Sequence, residues 1–246
     1  MFDLKRMRRA FIMPILKLVR NFLNVLKKYA FPTYKQNLNV YDLYKEEQIK
    51  NCYQHFKNHL KTSVLLPSEK IRGHALNAAK DNDKDPNYFY IEFGVFSGTS
   101  INFFSNNLNK KIYGFDSFEG LKEDWVGTSV TKGTFDLKKE IPKLENNVIP
   151  IAGWIQDTLP PFLKEKNPKI NFVHMDVDTY ESSKFILEKI KPHLVKGAII
   201  LFDELYNFEG WDVGEYKALT EVFNENEYKF ISFSTDTAQA AIKILN

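Results

Sequence analysis

Strand-like and helix-like segments alternate between residues 88 and 225, and this alternation constrains the fold more than any other feature of the chain. The apolar, strand-like runs are YFYIEFGV, KKIYGFDSF, NVIPIAG, INFVHMDV and GAIILFDEL. Helical patterns follow most of these runs, and strands joined through helices run parallel with right-handed crossovers. Near-continuous apolar runs are typical of strands covered on both faces. The pattern therefore predicts an α/β fold with a mostly parallel sheet and helices on both faces.

Two further strand-like runs, YKFISFS at 228–234 and AQAAIKIL at 238–245, are separated by only three residues. A parallel connection would need a crossover of about a dozen residues or more. We therefore expect an antiparallel hairpin, which adds one reversed strand at or near the edge of the sheet.

Charge is distributed unevenly along the chain. Residues 1–35 carry nine Lys and Arg side chains against the single acid Asp3, a charge of +8, whereas the whole chain carries +3. The remaining residues therefore sum to −5 (+3 minus +8), which does not predict a nucleic-acid footprint. A length of 246 residues suits one sizeable core. We expect residues 1–35 to form a basic helix and connector, and residues 36–246 to form the main domain.

The basic segment has the two-faced pattern of an amphipathic helix. Its apolar residues recur at helical spacing: Phe11, Ile12, Ile15, Leu16, Val19, Phe22, Leu23 and Leu26. Its polar residues fall largely on the opposite face: Lys17, Arg20, Asn21, Asn24, Lys27 and Lys28. Three partners stay open for this helix, namely an anionic membrane face through residues 5–28, the main domain, or a second subunit in a homo-oligomer.

The sequence also indicates the cellular compartment of the protein. Charges interrupt every window of the basic segment that is long enough to span a bilayer, and no small-residue cleavage site follows. A transmembrane helix and a signal peptide are therefore disfavoured. Cys52 is the only cysteine, which excludes an internal disulfide and fits a reducing compartment. We expect a cytoplasmic protein, peripheral at the membrane if the basic helix binds lipid.

The turns after the first two predicted strands have the pattern of a nucleoside-binding site. IEFGVFSGTS places Glu92, Gly94 and Gly98 at a strand-to-helix turn, and ligands of open α/β sheets bind outside such carboxyl ends. The next strand ends in GFDSFEG, where Asp116 can accept both hydroxyls of a ribose. Because the chain has neither G-x-G-x-x-G nor a P-loop, a nucleoside cofactor without a diphosphate is favoured.

Four acids follow two later strands at the same predicted edge of the sheet. Asp176 and Asp178 follow INFVHM, and Asp203 and Glu204 follow GAIILF. Converging carboxylates repel and raise one another's pKa values, which a cation relieves. An all-oxygen set suits Mg²⁺ or a similar hard ion. The alternative is that some of these acids cap helices, which Asp178 could do ahead of TYESSKF.

The motifs YIEFGVFSGTS, YGFDSFEGL, GWIQDTLP, MDVDTYESS and LFDEL occur in the order found in the macrocin O-methyltransferase family, which the chain resembles over roughly residues 88–245. That family is a metal-dependent branch of the class I S-adenosylmethionine-dependent methyltransferases. The resemblance implies a Rossmann-like class I methyltransferase sheet, S-adenosyl-L-methionine as cofactor, and Mg²⁺. Family members act on sugar hydroxyls in natural products. The expected activity is therefore O-methylation of a hydroxyl on a sugar or another natural-product or glycoconjugate acceptor.

Carried over position by position, the resemblance implies a role for each motif residue. Asp116 would bind the ribose, and Trp154 and Gln156 would lie by the adenine. The full set of cofactor-binding residues is Glu92, Gly94, Gly98, Asp116, Ser117, Trp154 and Gln156. The metal ligands would be Asp176, Asp203 and Glu204, where Glu204 departs from the Asp of the family. Asp176 and Asp178 are the predicted catalytic residues, the first holding the metal and the second acting as a base or supporting group.

Two other classes stay open: an NAD-type oxidoreductase, and a non-catalytic, membrane-associated protein built on a nucleotide-binding fold. Segment 121–139 is long for a plain connector and is predicted as a substrate lid. Tyr206 and Trp211 form either a wall of the substrate site or ordinary packing. His174 lies inside a strand and is expected to make a core contact.

Overall fold

The computed structural model describes residues 13–30 and 39–246. The helices are α1 (Met13–Ala30), α2 (Val40–Thr62), α3 (Ser68–Asp81), α4 (Thr99–Asn106), α5 (Ile155–Lys166), α6 (Tyr180–Ile190) and α7 (Glu215–Val222). The strands are β1 (Val64–Leu66), β2 (Tyr88–Phe93), β3 (Ile112–Asp116), β4 (Val148–Ala152), β5 (Lys169–Met175), β6 (Leu194–Phe202), β7 (Tyr228–Ser234) and β8 (Ala240–Ile244). Every strand that the sequence predicts forms.

The strands of the described residues make one sheet in the order β1-β7-β8-β6-β5-β2-β3-β4. Neighbours pair in parallel except at β8, which runs antiparallel to both β6 and β7. The predicted hairpin and the mostly parallel sheet are therefore confirmed. The sequence pattern does not predict the edge strand β1, because three residues are too few to show an alternating pattern.

The register of four parallel strands brings their carboxyl ends to one level. Phe93 of β2 pairs with both Phe115 of β3 and Met175 of β5, and Met175 pairs with Phe202 of β6. The residues that follow these four form one row along the edge of the sheet: Gly94, Asp116, Asp176 and Asp203. After β4 the chain crosses back to add β5 on the other side of β2, so the row spans a topological switch point.

Two hydrophobic clusters cover the two faces of the sheet. One packs α2, α5, α6 and α7 against the sheet through buried residues such as Phe56, Phe162 and Leu187. The other packs α3 and α4 through residues such as Leu76 and Phe104. Helices on both faces are therefore confirmed, and the continuous apolar runs of β5 and β6 follow from burial on both sides.

By compactness the chain divides into residues 1–44 and 45–246. In the first unit, α1 presents exposed apolar side chains over the residues that the structure describes. The predicted domain boundary at residues 35 and 36, and the predicted helix positions Phe11 and Ile12, lie outside the described residues. Within 13–30 and 39–246, no helix is both long and apolar enough to cross a membrane.

Candidate active site

Gly94 forms the point of closest approach between the first loop and the acid-bearing end of β5. Its φ is +86°, and a Cβ atom placed there would lie 1.6 Å from the backbone oxygen of Asp176. Only glycine satisfies both conditions without displacing the β5 backbone. The chain needs this glycine so that the loop after β2 can lie directly against Asp176.

Asp116 holds two loops together at the end of β3. Its Oδ2 accepts hydrogen bonds from the backbone N–H groups of Val95 and Phe96, at 2.8 and 2.7 Å. Its Oδ1 accepts the N–H of Phe118 at 2.7 Å. Phe96 and Phe118 both have positive φ, at 41° and 56°, a strained conformation for bulky residues that the carboxylate stabilises.

A cavity of about 320 Å³ opens over this edge of the sheet. Its size is typical of a site for a small ligand. The predicted site residues that line it are Gly94, Asp116, Ser117, Trp154, Gln156, Asp176, Asp178, Asp203 and Glu204. The structure therefore brings residues from four different strand ends, and from the turn after β4, into one crevice.

Glu92 and Gly98, the two other predicted cofactor-binding residues, lie outside the lining of this cavity. Glu92 is fully buried, and its Oε1 accepts a 2.7 Å hydrogen bond from the Ser100 hydroxyl. Gly98 precedes α4 with a φ of +81°, and a Cβ there would lie 2.8 Å from Leu144 Cδ2. Both residues shape the structure behind the site.

The acids at the ends of β5 and β6 form a cluster. Asp176, Asp178 and Glu204 each offer a carboxylate oxygen, and these atoms lie within 4.8 Å of one another. A second group of the same span consists of His174, Asp176 and Asp203. Asp176 belongs to both groups, so it stands at the centre of the cluster.

Asp178 adopts a left-handed backbone conformation with φ 63°. The N-cap residue of α6 is Thr179, whose carbonyl accepts the N–H of Ser183 at 3.0 Å. The alternative in which Asp178 caps this helix is therefore wrong. Its side chain lines the cavity instead, and Asp is one of the few residues that tolerate this conformation.

Burial and mutual repulsion act together on this cluster. Burial is the main cause that raises the pKa of Asp176 and of Glu204 well above the usual range, and the charge of Asp203 adds to it in both cases. Burial, followed by the charges of Asp203 and Asp116, raises the pKa of Asp178 to about 7. The cluster therefore holds protons tightly in the absence of a cation.

Asp203 differs from the other acids of the cluster in having a lowered pKa, because cationic and amide groups surround it. Its Oδ1 accepts hydrogen bonds from Arg72 at 3.2 Å and from Gln239, and lies 3.4 Å from Nε2 of His174. Burial acts to raise the pKa of Asp203, but the hydrogen bond and charge of His174 outweigh it and hold that pKa well below its usual range. Asp203 is therefore ionised.

His174 is fully buried and lies between two acids. Its Nδ1 is 3.2 Å from Oε2 of Glu92, and its Nε2 faces Asp203. Burial acts to lower its pKa, but the interactions with Asp203 and Glu92 outweigh it and raise the pKa to about 10. The core contact expected for His174 is thus polar. Sequence reasoning missed Arg72, Gln239 and the two partners of His174, since no local pattern links these distant positions.

Three buried carboxylate oxygens of the described residues have no hydrogen-bond partner: Oε2 of Glu92, Oε2 of Glu204 and Oε1 of Glu215. Oε2 of Glu92 faces Nδ1 of the His174 ring at 3.2 Å, whereas Glu204 and Glu215 belong with the other acids of the cluster. Glu215 is fully buried at the start of α7, and its Oε2 accepts the backbone N–H of Glu204 at 3.0 Å. Buried oxygens without donors, within a set of converging carboxylates, fit a hard divalent cation.

The long segment between β3 and β4 borders the cavity. Leu121, Lys122, Trp125 and Phe135 line it, and Phe135 packs edge to face against Phe96 at 5.2 Å. The segment is held in shape by paired hydrogen bonds of 2.9 Å that link Leu121 to Thr134 and Gly133. Its position fits the predicted lid.

Tyr206 and Trp211 pack inside the domain. Both are buried, and both contact the ring of Phe56. The Trp211 Nε1–H donates to the Gln48 side chain at 3.1 Å, and neither aromatic residue lines the cavity. Of the two interpretations for this pair, ordinary packing is the one that the structure supports.

Comparison with known proteins places the fold in a functional class. Residues 91–205 match a family model described as a methyltransferase domain. A structure of CalS11, a calicheamicin methyltransferase, is 23% identical with a TM-score of 0.57 over 79% of this chain and 91% of that one. An apo structure of CalS11, described as a TDP-rhamnose 3′-O-methyltransferase, is 22% identical with a TM-score of 0.51 over 79% of this chain and 93% of that one. No curated protein sequence matches the chain.

The matched domain spans the row of strand ends and most of the cavity lining. Together with the fold, it identifies the chain as an S-adenosylmethionine-dependent methyltransferase. The predicted enzyme class is therefore confirmed. The oxidoreductase and non-catalytic alternatives lose their basis.

Proposed function

We propose that this protein is an O-methyltransferase of the macrocin type that uses Mg²⁺ and transfers a methyl group to a hydroxyl of a sugar or another natural-product or glycoconjugate acceptor. The observation that supports this most strongly is the convergence of Asp176, Asp178, Asp203 and Glu204 beside the cofactor loops. A methyltransferase that uses only its cofactor has no need of four carboxylates at this place. CalS11, described as a TDP-rhamnose 3′-O-methyltransferase, agrees with a sugar hydroxyl as acceptor.

The cofactor would occupy the end of the cavity near β2, β3 and the turn after β4. The Asp116 carboxylate accepts three hydrogen bonds from backbone N–H groups, which leaves one acceptor position on Oδ1 for a ribose hydroxyl. Trp154 and Gln156, at the start of α5, supply a ring face and an amide for the adenine. Glu92 acts from behind the cavity through Ser100 and His174.

The ligands of the metal would be Asp176, Asp203 and Glu204. When bound, Mg²⁺ would polarise the acceptor hydroxyl and ease its deprotonation. Asp203 offers its Oδ2, because Oδ1 is taken by Arg72 and Gln239. Glu204 offers the buried Oε2 that otherwise lacks a donor.

For the reaction, Asp178 accepts the proton of the acceptor hydroxyl. Its carboxylate lies within 4.8 Å of the Asp176 and Glu204 ligand atoms, so it faces the position where that hydroxyl would stand. The hydroxyl oxygen then attacks the methyl carbon of the cofactor, and the sulfonium leaves as a thioether. The remaining task of the chain is to align the reactants and exclude water. Trp125, Phe135 and Phe96 provide an aromatic cover for this purpose.

The first experiment is calorimetric titration of the purified protein with S-adenosylhomocysteine, with NADH as a control, followed by transfer of labelled methyl groups to a panel of glycosylated acceptors. We expect S-adenosylhomocysteine to bind and NADH not to bind. Methyl transfer should stop when EDTA is added. Asp176→Asn should abolish transfer and leave S-adenosylhomocysteine binding intact, whereas Asp81→Asn, an exposed acid on α3, should change neither. Full activity in EDTA would contradict the metal assignment.

A further inference from the structure

Helix α1 presents a broad apolar face to solvent. The large apolar side chains of α1 that the structure describes are between 48% and 71% exposed: Met13, Ile15, Leu16, Leu18, Val19, Phe22 and Leu23. At about 100° per residue, the positions from Ile15 to Leu23 that are apolar fall within one arc of about 160°. So wide an apolar arc is more than a narrow helix–helix seam requires.

The opposite face of the same helix is polar and basic. Lys17, Arg20 and Asn21 fall in the complementary arc, and all three are exposed. Residues 1–35 as a whole carry a charge of +8, while the rest of the chain is acidic. An excess of this size opposes a second copy of the same helix and favours an anionic surface.

We propose that α1 lies flat in the interface of an anionic lipid bilayer. The side chains of Leu18, Val19 and Phe22 enter the boundary between headgroups and acyl chains, and Lys17 and Arg20 meet the lipid phosphates. Apolar burial and charge attraction then act from the two faces of one helix. The methyltransferase would work at a membrane surface, and this property is independent of the methyl-transfer chemistry, so each can fail without the other.

The test is co-sedimentation of the full chain with vesicles of phosphatidylglycerol and phosphatidylcholine, compared with vesicles of phosphatidylcholine alone. We expect at least about tenfold stronger binding to the anionic vesicles, and a marked loss of that preference in high salt. Helical content, followed by circular dichroism, should not fall on binding.

Two neighbouring positions give a matched pair of variants. Phe22→Asp and Asn21→Asp change the net charge equally, but only the first places a carboxylate on the apolar face. Phe22→Asp should weaken vesicle binding about tenfold or more, and Asn21→Asp less than about threefold. Both should bind S-adenosylhomocysteine as the parent does, which shows that the catalytic domain is folded.

Three results would overturn the proposal. They are no binding to anionic vesicles, equal losses in the two variants, and equal binding to phosphatidylcholine alone. A lipid-free dimer that Phe22→Asp converts to a monomer, without vesicle binding, would assign the face to a second copy of the chain.

Discussion

Nε2 of His174 lies 3.4 Å from Oδ1 of Asp203, and no other imidazole of the described residues faces the acid cluster. The ring reaches Glu92 on its other side, so one buried cation links strand β2 to the end of β6. Arg72 and Gln239 share the same oxygen of Asp203. Asp203 itself lines the cavity.

His174→Gln should weaken the binding of a divalent cation by about tenfold to a hundredfold, since it removes the charge that orients Asp203. S-adenosylhomocysteine binding should change little. The measurement is titration with Mn²⁺, followed by electron paramagnetic resonance, beside the Mg²⁺ dependence of methyl transfer. His59→Gln, an exposed histidine of α2, is the control. Unchanged Mn²⁺ affinity in the His174 variant would show that the ring serves folding alone.

Asp178→Asn should lower kcat by a factor on the order of 10² to 10⁴, because the amide keeps the shape of the side chain and cannot accept the proton. Binding of Mn²⁺ and of S-adenosylhomocysteine should stay within about threefold of the parent. Rapid-quench measurement of a single turnover isolates the chemical step. If Mn²⁺ binding is lost instead, Asp178 is a metal ligand rather than the base.

Gly94→Ala should destabilise the protein by about 3 kcal/mol or more, because the added methyl group would overlap the Asp176 carbonyl. Gly133→Ala is the matched control, since Gly133 also has a positive φ of 82° but has no atom within 4 Å of its Cβ position. The control should cost about 1 kcal/mol, from backbone strain alone. Urea denaturation of both variants measures the difference, and equal costs would contradict the close approach.

The metal-free protein should lose stability as pH rises. The pKa of Asp178, raised to about 7 chiefly by burial, keeps a proton in the folded state that the unfolded chain releases above about pH 4. This contribution is complete below pH ~4 and is lost as pH approaches about 7. His174, whose pKa is raised to about 10, adds a loss in the same direction above pH ~6.5.

We therefore expect the Tm in EDTA to fall by an amount on the order of 5 °C between about pH 6 and about pH 8.5. Mg²⁺ should raise the Tm more at the higher pH, because carboxylates bind a metal only when they are deprotonated. Thermal melts in EDTA and in Mg²⁺ across this range provide the check. A Tm that rises with pH in EDTA would be inconsistent with the raised pKa values.

Trp125→Ala and Trp211→Ala should have different effects, because Trp125 belongs to the cavity wall and Trp211 to the core. Trp125 lines the cavity, so its removal should raise the KM for the acceptor on the order of tenfold with little change in stability. Trp211 is buried against Phe56 and Tyr216, so its removal should cost about 3–5 kcal/mol of stability. Steady-state kinetics and urea denaturation of both variants distinguish the two roles. A changed acceptor preference in a stable Trp211→Ala variant would contradict the packing role.

The sequence by itself determined the alternation of strands and helices, the reversed hairpin, and the position of Asp116, Asp176 and Asp203 at strand ends. These features depend on local patterns: apolar runs of a given length, turn residues, and the rule that ligands bind at the carboxyl edge of a parallel sheet. Their physical basis lies within a few residues, so a single sequence contains it. The edge strand β1 has no such local pattern, because its pairing with β7 depends on a partner far along the chain.

Only the tertiary structure decided which groups surround the acids. Arg72 and Gln239 lie 131 and 36 positions from Asp203 in the sequence, yet they donate to the same carboxylate oxygen. The placement of Glu92 behind the cavity, and of Asp178 before the cap of α6 rather than at it, likewise depends on register and backbone torsion. Contacts of this kind arise from packing between distant segments, and their effect on charge and pKa exists only once the chain has folded.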